Sequence, residues 1–175
     1  MSDLENVRIA AAQLALGNAS AADLKSAASS AVDAGAMTPD LAALATLRDD
    51  TLAEAEPLFR RALADLQMSL PSLDEAVWLL LRREVQGIAD GSIEAEAGLK
   101  RIMVLFYDAD LHQKSHELVG DSHGIEHLVG LYWELHDIEA HRTEVDFNRR
   151  YDGQLRQLSE DAIVRARKWL IEHAA

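Results

Sequence analysis

Apolar residues recur along most of this chain at intervals of three and four, the spacing that places them on one face of an α-helix. Leu4, Val7, Ala11 and Leu14 form such a stripe over Asp3–Leu16, with Ser2 as its cap and Gly17 as its stop. Ser20 opens a second helix over Ala21–Ala34, which Gly35 closes. Thr38-Pro39 is a cap followed by proline at the first helical position, and it begins a third over Pro39–Leu47. Thr51-x-x-Glu54 has the capping-box pattern, and Phe59, Ala62, Leu63, Leu66 and Leu70 carry the stripe that follows. Pro57 lies inside this segment, so the pattern predicts either a kinked helix or one that starts near Glu56. Pro71 ends it.

A second capping box, Ser72-x-x-Glu75, opens a helix over Leu73–Ala89 that Gly91 stops. Ser92 then caps Ile93–Tyr107. Asp108–Gly120 reads as loop with a turn of helix at His116–Val119, and Ser122 caps a helix running through Glu134 to Ile138. His141–Tyr151 is polar and irregular, and the last helix covers Gly153–His173. No segment shows the two-residue alternation of a strand. The prediction is an all-α fold: residues 1–175 as a single-domain irregular bundle of about seven helices. Fifteen of the first 45 residues are alanine, so residues 1–47 read as an Ala-rich helical hairpin beside a main bundle over 48–175.

Composition narrows the function classes. The 175 residues are 49% hydrophobic and only 5% aromatic, which suits a folded helical chain and neither a disordered one nor a sandwich. With no cysteine, disulfides, thiolate nucleophiles and Cys-ligated zinc are excluded. The acidic start, Met1-Ser2-Asp3, lacks the basic and apolar regions of a signal peptide. The longest strongly apolar run, Val77 to Leu81, falls far short of a membrane span. The expectation is a cytoplasmic protein with no membrane partner.

The net charge is −13, and it is unevenly spread. From Ile102 to Glu139 there are eight acids and one base, whereas Arg142 to Ala175 carries seven bases and six acids. A nucleic-acid surface needs a basic patch, so no nucleic-acid partner is expected. An acidic block steers a basic protein partner toward it. The expected docking face is Asp108, Asp110, Glu117, Asp121, Glu126, Glu134 and Asp137, within the acidic, His-rich region 108–139. In composition the chain resembles immunity proteins, small acidic helical bacterial proteins that neutralise a basic toxin. The resemblance implies a non-catalytic, inhibitor-like binding protein that needs no cofactor. Val164 and Ile171, opposite the Leu155/Ala162/Trp169 stripe of the last helix, are the candidates for self-association.

Histidines supply the alternative, a small metal-dependent hydrolase using the His112–His141 cluster. Six of the seven lie in that stretch. His112 and His116 are spaced i, i+4, as are His123 and His127, which would put each pair on one helical face. His123-Gly124-Ile125-Glu126-His127 also matches H-x-x-E-H, the zinc pattern of the inverted-zincin peptidases. Those enzymes use a large α/β domain and this chain reads as all-helical, so the match is read as accidental. On a helical wheel with His123 at zero, Ile125, Leu128, Val129, Tyr132, Trp133 and Leu135 fill an arc from about 120° to 280°. His123 and His127 then face water, and no metal is expected; they remain the ligands of the alternative reading.

His136 falls near 220° on the same wheel, inside the apolar arc, which predicts a buried imidazole with a polar partner. His136-Asp137 is also an adjacent His-Asp pair and resembles the metal-binding pair of the HD-type phosphohydrolases. That resemblance implies His112, His116, His123 or His127 as upstream ligands and Asp146, Asp152 or Asp161 as downstream ones. Glu84 is the other outlier, set among Val77, Leu80, Leu81 and Ile88 on an apolar face. A buried carboxylate needs a cation or donor, and Arg101, Arg149, Arg150 or His136 would supply one. Glu-x-x-His, H-E-x-x-H, G-x-S-x-G and Gly-rich phosphate loops are all absent.

Overall fold

Helix starts in this chain are set by side chains that satisfy the first unbonded amides. The Ser20 hydroxyl accepts from Asp23 N at 3.2 Å, and the Asp23 carboxylate accepts from Ser20 N at 2.8 Å. Ser72 and Glu75 repeat the arrangement, at 3.3 Å and 2.8 Å. Thr38 Oγ1 accepts from Leu41 N at 3.2 Å, with Pro39 at the first helical position. A computed structural model describes residues 4–48, 51–108, 123–140 and 147–174. Among them the regular structure is all α-helical. The helices are α1 (Glu5–Ala15), α2 (Ala21–Asp33), α3 (Pro39–Ala45), α4 (Leu52–Asp65), α5 (Leu73–Asp90), α6 (Ala95–Asp108), α7 (Glu126–Ala140) and α8 (Phe147–Glu172).

Several boundaries depart from the sequence expectation, each for a local reason. Thr51 precedes α4 without a side-chain cap, because Glu54 N and Ala55 N both donate to its backbone carbonyl, at 3.3 Å and 3.1 Å. The helix starts at Leu52 and runs through Pro57, which forgoes one backbone bond. Ser92 does not cap α6. It belongs to the turn that ends α5: Gly91 adopts φ +76°, Ile93 N donates to Gly87 O at 3.0 Å, and Ser92 N donates to Asp90 at 2.9 Å. α6 therefore starts two residues late, at Ala95. α8 begins at Phe147, six residues before the expected start, so part of the segment read as irregular is helical. A single interior glycine, Gly153, costs about 1 kcal/mol and does not stop a helix of 26 residues. The expected Ser2 and Ser122 caps, and the turn at His116–Val119, lie outside the described residues.

The chain divides into two compact units, Met1–Leu80 and Leu81–Ala175, and the division falls within α5. In the first unit α1 packs on α2, α2 on α3, and α4 on both α2 and α3. Its core joins Val7, Leu24, Leu41, Leu44 and Phe59 with alanines of α1 and α2: Ala10, Ala11, Ala27, Ala28 and Ala31. Short side chains on the facing stripes let the helix axes come close, and the larger residues fill what remains. α4 therefore shares a core with the N-terminal helices.

In the second unit α6 packs against α7 and α8, and α7 against α8. The C-terminal part of α5 meets α6 where Gly98 lacks a side chain; a Cβ there would lie 2.5 Å from Ile88 Cγ1. Two arginine side chains bond to main-chain carbonyls outside their own helices in this unit. Arg167 Nε donates to Ala89 O at 2.9 Å, and Arg82 Nη2 donates to His173 O at 2.8 Å, beyond the end of α8. Among the described residues no helix is long and apolar enough to cross a membrane.

Two measurements check this packing and capping. Phe59→Ala empties a fully buried site and is expected to cost about 3–5 kcal/mol in denaturant unfolding, whereas Val164→Ala at an exposed site should stay within about 0.5 kcal/mol. The Ser72 backbone N–H, then its hydroxyl, hold the Glu75 carboxyl below its ordinary value. A lowered folded-state pKa gives stability that is present above the unfolded value and lost as pH falls through the folded one. Ser72→Ala keeps the backbone N–H and removes the hydroxyl, so it should move the Glu75 titration measured by NMR part of the way upward and reduce this acid sensitivity; an unmoved titration would refute the hydroxyl bond to Glu75.

Candidate functional site

The site is built around the start of α7. Gly124 adopts φ +64°, a left-handed conformation that side chains other than glycine rarely take. This turn separates His123 from the helix, whose first backbone bonds run from Leu128 N and Val129 N to Ile125 O, at 2.8 Å and 3.0 Å. Trp169 of α8 fixes the turn from below: its indole Nε1 donates to His123 O at 2.9 Å. The indole is buried, and His173 stacks on it with ring centroids 4.5 Å apart. Leu128, Leu131 and Leu135, together with Ile125 before the helix, form the buried row that results.

That register corrects two expectations. His123, expected in water, is 6% exposed, because the Gly124 turn removes it from the helical wheel and carries it into the core beside Trp169. His127 is exposed, so the two histidines do not share a helical face. His136, expected to be buried, is exposed. The buried row is centred near Leu131 and Leu135, and His136 lies about 105° from its middle. The apolar arc drawn from sequence was displaced: it took in Trp133 near 280°, which is 45% exposed, whereas the buried leucines of the helix lie between about 80° and 140°.

Trp133 is the residue that sequence reasoning placed on the wrong side. Trp133 and Glu126 point about 170° from the middle of the buried row, and Asp137 about 150°. Trp133 packs edge-on against Tyr132 and His136, at centroid distances of 5.1 Å and 5.7 Å. Glu126, Glu134 and Asp137 are all exposed, and on the helix they lie about 20°, 100° and 40° from Trp133, all on the side away from His136. Glu134 and Asp137 also line an open groove of about 430 Å³ between α7 and α8, floored by Ile138 and Leu158 and edged by Gln154 and Gln157. Leu131 was the missed signal: with Leu128, Leu135 and Ile138 it makes a narrower i, i+3, i+7 row that leaves Trp133 outside.

The other candidates are placed as follows. Asp110, His112, His116, Glu117, Asp121, His141 and Asp146 lie outside the described residues, as do the side chains of Asp108, Arg149, Arg150 and Asp152. Asp161 accepts from Gln157 Nε2 at 3.1 Å. Among the described residues no group of three or more His, Asp or Glu side chains is placed to hold a metal ion. Glu84 is 9% exposed and pairs with Arg101 Nη1 at 3.5 Å. Burial costs the carboxylate solvation, and the largely exposed guanidinium recovers part of it.

Comparison of this chain with protein-family models, curated proteins and solved structures gives no match.

Glu84→Gln should destabilise less than Glu84→Ala in thermal unfolding, because the amide keeps a hydrogen bond to Arg101 and alanine leaves a void. His123→Ala should cost more than His127→Ala, which is expected to stay within about 0.5 kcal/mol. Equal effects of the two histidine variants would show that α7 starts further upstream than Glu126.

Proposed function

We propose that this protein is a non-catalytic cytoplasmic binding protein that docks a basic protein through the outer face of α7, as inhibitors and immunity-type proteins do. The observation that carries the reading is Trp133, held half in water on an acidic ridge. An exposed indole braced by two other rings gives a rigid apolar anchor, and binding hot spots are enriched in tryptophan and tyrosine. Glu126, Glu134 and Asp137 flank it on one side with negative charge, which suits a rim that selects Lys- and Arg-bearing partners and speeds their encounter. The rest of the expected acidic face, Asp108, Asp110, Glu117 and Asp121, belongs to the same proposal on charge alone. The −13 net charge of the chain adds a long-range field of the same sign.

A pull-down from the native host, followed by association kinetics on the recovered basic protein, tests the reading. Association should slow markedly between low and high salt while dissociation changes less. Trp133→Ala should weaken binding by about 2 kcal/mol or more, chiefly through faster dissociation. Glu134→Lys should slow association, and Glu160→Lys, away from the α7 face, should do less. Recovery of a second copy of this chain alone would reject the proposal and turn attention to Val164 and Ile171, which are 62% and 77% exposed.

A further inference from the structure

On α8, Ala162, Ala166 and Trp169 are buried, whereas Val164 and Ile171 on the opposite side are 62% and 77% exposed. Single exposed apolar residues are ordinary surface, and two of them do not make a site. The charges around them are what distinguish this face. With Val164 at zero on the helical wheel, Glu160 and Arg167 lie about 40° and 60° to one side. Asp161 and Lys168 lie about 60° and 40° to the other. On both sides the acid stands three or four residues before Val164 and the base three or four residues after it. Gln157 and Ile171 fall within about 20° of Val164, one before it and one after.

We infer that this face docks a second copy of the chain, with the two α8 helices antiparallel about a two-fold axis at Val164. Such an axis sets each residue after Val164 opposite the one equally far before it, on the same flank. Val164 then meets the partner's Val164, and Gln157 covers the partner's Ile171. Glu160 meets the partner's Arg167, and Asp161 meets the partner's Lys168. Each contact between unlike residues occurs twice, which gives four ion pairs around an apolar centre. A parallel pair would set acid on acid and base on base, so the charges also fix the orientation. These side chains already bond within the chain: Arg156 Nε to Glu160 and Gln157 Nε2 to Asp161, both at 3.1 Å, and Lys168 Nζ to Glu172 at 3.6 Å. Arg167 Nε donates to Ala89 O. Each carboxylate has a second oxygen, Lys168 has further donors and Arg167 has its two Nη groups, so bonds across the axis add to these. The other charges of the helix stand aside. Arg165 lies about 100° from Val164 and is turned to α7, where it bonds His127 O. Arg156 and Glu172 each lie about 80° from Val164, on opposite flanks, and would face the partner's Ala174 and the partner's Gln157. The net charge of −13 on each copy is screened beyond about 8 Å at physiological salt, and residues 142–175 carry seven bases and six acids. This face lies on a different helix from Trp133, so dimerisation does not depend on the basic partner.

Sedimentation equilibrium of the purified chain, at concentrations rising to millimolar, tests the pairing without any other protein present. A few turns of helix on each copy bury less than a standard interface, so a reversible, concentration-dependent dimer is expected. Val164→Asp, Asp161→Lys and Lys168→Asp should each weaken it by about tenfold or more, because like charges then face each other across the axis. None of the three residues is buried, so the variants are expected to fold. The Asp161→Lys and Lys168→Asp chains, mixed in equal amounts, should form a heterodimer, since opposite charges then face each other at both positions. A monomer at every concentration, dimerisation unchanged by the three substitutions, or no heterodimer in the mixture would overturn the antiparallel pairing.

Discussion

The arrangement of the second unit depends on one hydrogen bond and the turn it holds. Trp169 donates its indole N–H to the carbonyl of His123, and Gly124 takes the left-handed conformation that lets the chain turn upward immediately afterwards. α7 can then begin only at Glu126. Once its start is fixed, 100° per residue decides which side chains are buried. Leu128, Leu131 and Leu135 go inward; Trp133 and Asp137 go outward. A buried indole with its donor satisfied is worth its desolvation, whereas the same ring without an acceptor would leave a buried N–H unpaired.

Local signals along the chain were enough to define most of the fold. The Ser20 and Ser72 capping boxes and the Thr38-Pro39 start are visible as residues and appear as hydrogen bonds. The failures occurred where a serine or threonine had a competing use. Ser92 has the right residue type for a cap, but it is committed to closing the end of α5, a bond pattern that depends on Gly91 and on Gly87 four residues back. At Thr51 the backbone carbonyl takes the amide that the hydroxyl was expected to take. The early start of α8 shows that one glycine in a long helix is a weak stop signal.

The site was less legible, and the reason is a single register. On α5, by contrast, Arg82, Arg83 and Gln86 mark the solvent side clearly, and Glu84 lies among the buried residues of the other side, paired with Arg101. α7 is apolar around more than half its circumference, so its sequence fits more than one inward face. Choosing among them needs the partner surface, here Trp169, which lies more than forty residues later in the chain. The same ambiguity moved His136 from the core to water, whereas His123 went from water to the core because the Gly124 turn takes it off the wheel. It also hid Trp133, because an exposed tryptophan on a helix reads from sequence as a core residue.

α7 is set with Trp169 beneath it, its indole N–H bonded, and Trp133 outside. Hydrogen exchange of the indole N–H groups, followed by NMR in the native protein, tests this most directly. The Trp169 N–H is expected to exchange far more slowly than that of Trp133, because it is buried and bonded to the His123 carbonyl. Rapid exchange at Trp169, or protection at Trp133 in the free protein, would contradict it.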